Sequence, residues 1–104
     1  MTVISLGGEL DLMYAQRVED QLRESEKAEG QMLVLDLREL GFIDSTGISV
    51  MLRAYLRAQE TGRRLVLLPG PPFVQKVFAV SGMDRFFEFW TGDIEELTAE
   101  PDVA

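Results

Sequence analysis

Apolar and polar positions follow two different periods along this chain. Short, nearly continuous apolar runs indicate buried strands, and longer stretches with apolar residues every three or four positions indicate amphipathic helices. The predicted strands are 3–6, 32–37, 64–68 and 86–90. The predicted helices are 14–28, 45–61, 73–78 and a short last helix from 93 to 97. Because strand and helix alternate, the pattern predicts an α/β domain with right-handed crossovers.

The second apolar run, 33–37, suits a strand that is buried on both faces. A new helical periodicity starts at Ile48, just after Asp44 and Ser45, which are residue types that cap helices. Ser45 is therefore predicted at the carboxyl end of a sheet and at a helix amino terminus, where negative charge is favoured. It is either a helix cap only or a serine that accepts phosphate. We expect Asp11, Asp44 and Ser45 on one rim of the sheet.

The composition of the chain excludes several classes of function. The chain has 104 residues, enough for one domain, and it contains neither cysteine nor histidine, which excludes disulfides, thiol catalysis and the commonest general base. A net charge of -8 with scattered basic residues argues against direct binding of nucleic acid. No apolar run reaches membrane-span length and the start lacks a basic signal region, so we expect a cytoplasmic protein that does not bind membranes.

The sequence gives little support for an enzymatic function. Ser45 has no histidine to activate it and lacks the Gly-x-Ser-x-Gly elbow, and no Walker A loop is present. Asp11, Asp36 and Asp44 could hold magnesium or form an acid/base pair, but Asp36 and Asp44 also have structural roles available in a strand and before a helix. We therefore expect a binding module or a kinase substrate, with no cofactor and no enzymatic activity.

Three motifs carry a family resemblance. Residues 8–11 read Gly-Glu-Leu-Asp after an apolar strand, residues 33–48 combine a strand with Phe-Ile-Asp-Ser-Thr-Gly-Ile, and residues 81–87 begin Ser-Gly-Met-Asp. In this order and spacing the chain resembles a STAS domain, and within that family the bacterial anti-sigma factor antagonists. The resemblance extends from residue 3 to about residue 97.

The resemblance implies an α/β fold: one STAS-like domain over residues 1–99, with a small mixed β-sheet of about four strands covered by helices mainly on one face. Residues 100–104 are expected to be a frayed tail. Family members usually have an additional strand before the first motif, and here only Met1 and Thr2 precede Val3. If that strand is short or absent, the sheet edge it would cover is exposed and could pair with a second copy, which would give a weak homodimer.

The resemblance also implies a switch. Unmodified family antagonists bind an anti-sigma factor that is also a serine kinase, which releases the sigma factor. Phosphorylation of a serine that corresponds to Ser45 ends the binding, and a PP2C-type phosphatase restores it. Thr46 stands where the family often has a second serine, so it is the alternative acceptor.

The residues around Ser45 are expected to contact the partner. By similarity, the expected partner-binding set is Asp11, Asp44, Thr46, Gly47, Ile48 and Met51. Gly47 has the alternative role of permitting close helix packing, and Ile48 and Met51 have the alternative role of core residues.

Two other hypotheses stay open at this stage. A STAS subunit of a lipid-transporting ABC system would contact an ATPase subunit without a phosphorylation switch. A small enzyme or nucleotide-hydrolysing module would turn over ATP or GTP and lose that activity on mutation of Asp11 or Asp44.

Overall fold

The computed structural model describes residues 1–27 and 32–99. The strands are β1 (Thr2–Ser5), β2 (Gly8–Leu10), β3 (Met32–Asp36), β4 (Leu40–Ile43), β5 (Arg64–Leu68) and β6 (Glu88–Phe89). The helices are α1 (Ala15–Ser25), α2 (Ser45–Thr61), α3 (Pro72–Val80) and α4 (Ile94–Ala99), with a 3-10 turn at Met83–Arg85. The last residue of the predicted helix 14–28 and the predicted frayed tail 100–104 lie outside the described residues.

The main sheet has four strands in the order β1-β3-β5-β6. Within the two described ranges every strand pair is parallel, so the α/β class is confirmed, but the sheet is not mixed as the resemblance implied. The reason lies in the connections. Each strand of the main sheet is joined to the next by a crossover that contains a helix, which returns the chain in the same direction.

Helices α1, α2 and α3 cover one face of this sheet, and α4 covers part of the other. Successive residues of β3 point to opposite faces, so Leu33 and Leu35 join the larger core while Val34 packs with Leu97 of α4. The expectation that this strand is buried on both faces is confirmed, as is the placement of the helices mainly on one face. No helix in the described part of the chain is both long and apolar enough to cross a bilayer.

Two short strands were not predicted. β2 and β4 form a separate parallel ladder with a register shift between Gly8 and Glu9. Each is only three or four residues long, too short to show a strand period in the sequence. The predicted last strand is also shorter than expected, because Phe86 ends the 3-10 turn and only Glu88–Phe89 pairs with β5.

A buried carboxylate joins α1 to α2. Glu19 is 5% exposed, and its oxygens accept hydrogen bonds from Arg57 Nη1 at 2.5 Å and Arg53 Nε at 3.1 Å. Arg57 also donates to both oxygens of Glu26, at 2.6 and 2.8 Å. The hydrogen bonds from Arg57 to Glu26, and then to Glu19, raise the pKa of its guanidinium, so this cation stays charged. The arginines thus compensate the negative charge of Glu19, which is buried between α1 and α2.

A second ion pair ends the central strand. Asp36 is buried, and its oxygens accept hydrogen bonds from Arg38 Nε at 2.9 Å, Nη2 at 2.8 Å and the Arg38 backbone N–H at 3.0 Å. The side-chain hydrogen bonds from Arg38 lower the pKa of Asp36 below its ordinary value. This carboxylate therefore has a structural role, as the sequence allowed.

The first prediction concerns the α1–α2 cluster. Glu19→Gln leaves the guanidinium groups of Arg23, Arg53 and Arg57 without their shared anion, so we expect a loss of about 1–3 kcal/mol in the free energy of unfolding, measured by urea denaturation. Glu24→Gln is the matched control, because Glu24 lies on the same helix and its ion pair with Lys27 is exposed. It should change the free energy by less than about 0.5 kcal/mol. Equal effects of the two variants would contradict a structural role for Glu19.

The second prediction concerns acid stability. Because the pKa of Asp36 is lowered in the folded protein, the pair stabilises the fold above pH 3.8, the ordinary pKa, and this contribution is lost as pH falls through the lowered value. Asp36→Asn should therefore reduce stability at neutral pH and flatten its decline between about pH 4 and pH 2. Urea denaturation at several pH values measures this. Asp84→Asn, at an exposed site, should keep the wild-type slope.

Candidate functional site

The first turn of α2 divides two roles between neighbouring side chains. Asp44 is the N-cap residue with extended backbone, and its Oδ1 accepts a hydrogen bond from the Gly47 N–H at 3.1 Å. Ser45 is the first helical residue and is exposed, and its hydroxyl forms no hydrogen bond with any described residue. Asp44 is thus the cap, and the Ser45 hydroxyl is left uncommitted.

The position of Ser45 favours an anion. α2 is 17 residues long, and the free N–H groups and dipole of its amino terminus stabilise negative charge in the first turn. A phosphate on Ser45 would add about −1.5 to −2 charges beside the Asp44 carboxylate. Such a group would strongly change the charge of the surrounding surface.

Asp11 and Asp44 follow two paired strands. Leu10 is in register with Ile43, and the Asp44 N–H donates to the Leu10 carbonyl at 3.4 Å. The β2–β4 ladder therefore places Asp11 and Asp44 at the same edge, as the sequence predicted. The Asp11 side chain holds the turn before α1, because its Oδ1 accepts from the Met13 N–H at 3.1 Å and the Tyr14 N–H at 3.3 Å.

The other predicted partner residues lie deeper. Thr46 is half-buried, whereas Gly47 and Ile48 are buried and Met51 is fully enclosed in the core. The structure thus places Ile48 and Met51 in the core, the alternative that the sequence left open. A Cβ on Gly47 would lie 2.5 Å from the Leu10 carbonyl oxygen, so this glycine permits α2 to approach β2 closely.

A groove between α2 and α3 opens directly beside Ser45. Its volume is ≈ 520 Å³. The apolar side chains that line it are Ile48, Leu52, Phe73, Val77, Val80 and Met83. The polar residues that line it are Ser45, Ser49, Ser81 and Lys76. Phe73 and Val80 are 50% and 78% exposed, so apolar surface is open to solvent here.

Sequence reasoning missed this groove. The helical period of α3 indicated only that one face is buried, and it could not show that Phe73 and Val80 lie outside the core. A second exposed apolar pair, Leu12 and Met13, lies on the turn after Asp11, where the two side chains are 78% and 80% exposed. Exposed apolar side chains such as those in the groove beside Ser45 are typical of a surface that binds another protein.

Comparison with known proteins decides the family. Residues 1–91 match the family model described as "Mlab, STAS domain". The chain belongs to the STAS domain family. Among curated STAS relatives, the anti-sigma F factor antagonist of Paenibacillus polymyxa is 27% identical over 97 residues, covering 92% of this chain and 83% of the relative. The anti-sigma-B factor antagonist of Listeria monocytogenes is 29% identical over 85 residues, covering 82% and 75%.

Solved structures agree on the STAS fold. The anti-sigma factor antagonist SpoIIAA in its unphosphorylated form matches with a TM-score of 0.76 at 24% identity, covering 96% of this chain and 90% of SpoIIAA. SpoIIAA in its phosphorylated form matches with a TM-score of 0.67 at 23% identity, covering 94% and 89%. The resemblance drawn from the three sequence motifs is thereby confirmed at the level of the family.

The third prediction tests the contact of α2 with β2. Helix propensity alone makes Ala about 1 kcal/mol better than Gly. Gly47→Ala should nevertheless destabilise the STAS domain by about 1–3 kcal/mol in urea denaturation, because the added methyl group meets the Leu10 carbonyl and cannot displace backbone cheaply. Ser49→Ala, at an exposed position of the same helix, should change stability by less than about 0.5 kcal/mol. A Gly47→Ala protein as stable as wild type would contradict the close contact.

Proposed function

We propose that this STAS protein is an anti-sigma factor antagonist whose binding to its partner is ended by phosphorylation of Ser45. The observation that carries the proposal is the exposed, uncommitted hydroxyl of Ser45 in the first turn of α2, freed because Asp44 forms the cap. The family membership and the antagonist relatives support it. In this role the protein binds and is modified in the cytoplasm, without catalysis of its own.

The proposed partner is an anti-sigma factor with serine kinase activity, and a PP2C-type phosphatase resets the switch. A bare hydroxyl at Ser45 lets a partner cover the rim of Asp11 and Asp44 and the adjacent apolar groove. A phosphate adds a doubly charged group at the centre of that surface, where no apolar contact can tolerate it. Release therefore follows from charge and desolvation and needs no change of fold.

The proposed contact surface consists of the accessible members of the predicted set. Asp11, Asp44, Ser45 and Thr46 are exposed or half-buried. Gly47 and Met51 lie beneath this surface, and Ile48 is buried but also lines the adjacent groove. Ser45 is the proposed phosphate acceptor rather than Thr46, because Thr46 is half-buried and a kinase needs to reach the hydroxyl.

The ABC subunit remains the second candidate. The apolar groove beside Ser45 favours a protein partner, and an ATPase subunit of a lipid transporter would use such a surface without a phosphate. The two candidates therefore differ in what Ser45 does, which a single binding experiment separates.

The fourth prediction is that experiment. Wild-type protein and Ser45→Asp serve as baits in a lysate of the source organism, and mass spectrometry identifies the proteins retained. We expect wild type to retain a small ATP-binding kinase and Ser45→Asp to lose it, because the added carboxylate adds charge where the partner docks. Circular dichroism should show the same fold for both baits.

Two controls sharpen the result. Ser45→Ala keeps the surface uncharged and should retain the kinase, but the kinase should no longer phosphorylate the protein in the presence of ATP. Thr46→Val should still be phosphorylated. Equal retention of an ABC ATPase by the wild-type and Ser45→Asp baits would overturn the antagonist proposal and favour the transporter subunit.

A further inference from the structure

The groove between α2 and α3 differs in charge from the chain as a whole. The protein has 18 acidic residues and a net charge of -8, yet no carboxylate lines this groove among the described residues. Its lining is apolar side chains, three serine hydroxyls and one ammonium group, that of Lys76. In an acidic protein, such a surface is suited to an apolar ligand that carries a negative charge.

Lys76 is the residue that gives the groove a positive charge. The chain has only two lysines, and Lys27 pairs with Glu24 Oε2 at 3.0 Å on the exposed face of α1. Lys76 makes no ion pair with any residue in the ranges 1–27 and 32–99. Its ammonium group is therefore available to a ligand in the groove, and Ser45 lines the same groove.

We propose that the groove receives an amphipathic helix of the protein partner, and that this helix presents apolar side chains together with a carboxylate that pairs with Lys76. This inference rests on the proposed function and identifies the chemistry of its partner. A groove bounded by two helices and lined by apolar side chains suits a helix laid along it. The exposed side chains of Phe73 and Val80 contact the apolar face of the helix, and the ion pair with Lys76 orients the helix in the groove.

Lys76 also determines how the phosphate acts. When Ser45 is bare, the ammonium group pairs with the partner's carboxylate. When Ser45 is phosphorylated, the phosphate dianion takes the same ammonium group, and it repels the incoming carboxylate. The switch is thus a competition between two anions for one lysine, with Asp44 adding to the repulsion.

The first test needs no partner. Phosphoserine is introduced at position 45 by genetic encoding, and the second pKa of its phosphate is measured by 31P NMR titration. We expect Lys76→Gln to raise that pKa by about half a unit, because the neighbouring cation favours the dianion. Lys27→Gln removes the same charge elsewhere and should leave the pKa unchanged. Equal values in all three proteins would overturn the role of Lys76 in the switch.

The second test uses the kinase retained by the wild-type bait. Isothermal titration calorimetry compares its binding to wild type, Lys76→Glu and Lys27→Glu, all unphosphorylated. Lys76→Glu should weaken binding by about tenfold or more, because the groove then repels the partner's carboxylate, whereas Lys27→Glu should change it less than about twofold. Thermal unfolding checks that both variants are folded.

The outcomes separate this inference from the proposed function. If Ser45→Asp abolishes binding but Lys76→Glu binds like wild type, the groove is not the docking site, although the phosphate switch stands. If no kinase is retained, the proposed function fails, while the phosphate titration still decides whether Lys76 senses position 45. Light scattering that shows a dimer dispersed by Lys76→Glu would overturn the inference, because the occupant would then be a second copy.

Discussion

The site depends on the close contact between the first turn of α2 and the strand β2. Gly47 has no side chain, and a Cβ there would be 2.5 Å from the Leu10 carbonyl oxygen. Because α2 can approach this closely, the Asp44 N–H reaches the Leu10 carbonyl and the helix begins at the edge of the β2–β4 ladder. The position of Ser45 relative to Asp11 follows from that contact.

Asp44 caps α2, so the hydroxyl of the adjacent Ser45 has no capping role. Asp44 stabilises the helix end by accepting from the Gly47 N–H, and Asp11 does similar work for the turn before α1. Both carboxylates are thus held in place by backbone hydrogen bonds, and Ser45 stands beside them without a structural duty. A group that has no role in stability can be modified without cost to the fold.

The charges of the chain are distributed by function. Two buried carboxylates are paired with arginines: Glu19 with Arg57 and Arg53 between α1 and α2, and Asp36 with Arg38 at the end of β3. Among the residues that the structure describes, no carboxylate lines the groove beside Ser45. The described part of the protein therefore presents an apolar groove that is lined by Lys76 and Ser45.

The sequence by itself determined the α/β class, the main helices, the central strand at 33–37 and the position of Ser45 at a helix start, because these depend on local periodicity and capping chemistry. It could not show the β2–β4 ladder, whose strands are too short to carry a period, or decide whether Asp44 or Ser45 makes the cap. Nor could periodicity tell that Glu19 is buried while Phe73 and Val80 are exposed, or decide between the core and the partner-binding role of Met51. Tertiary structure decided these points, because burial depends on which helix packs against which face of the sheet, and that is a property of residues far apart in the chain.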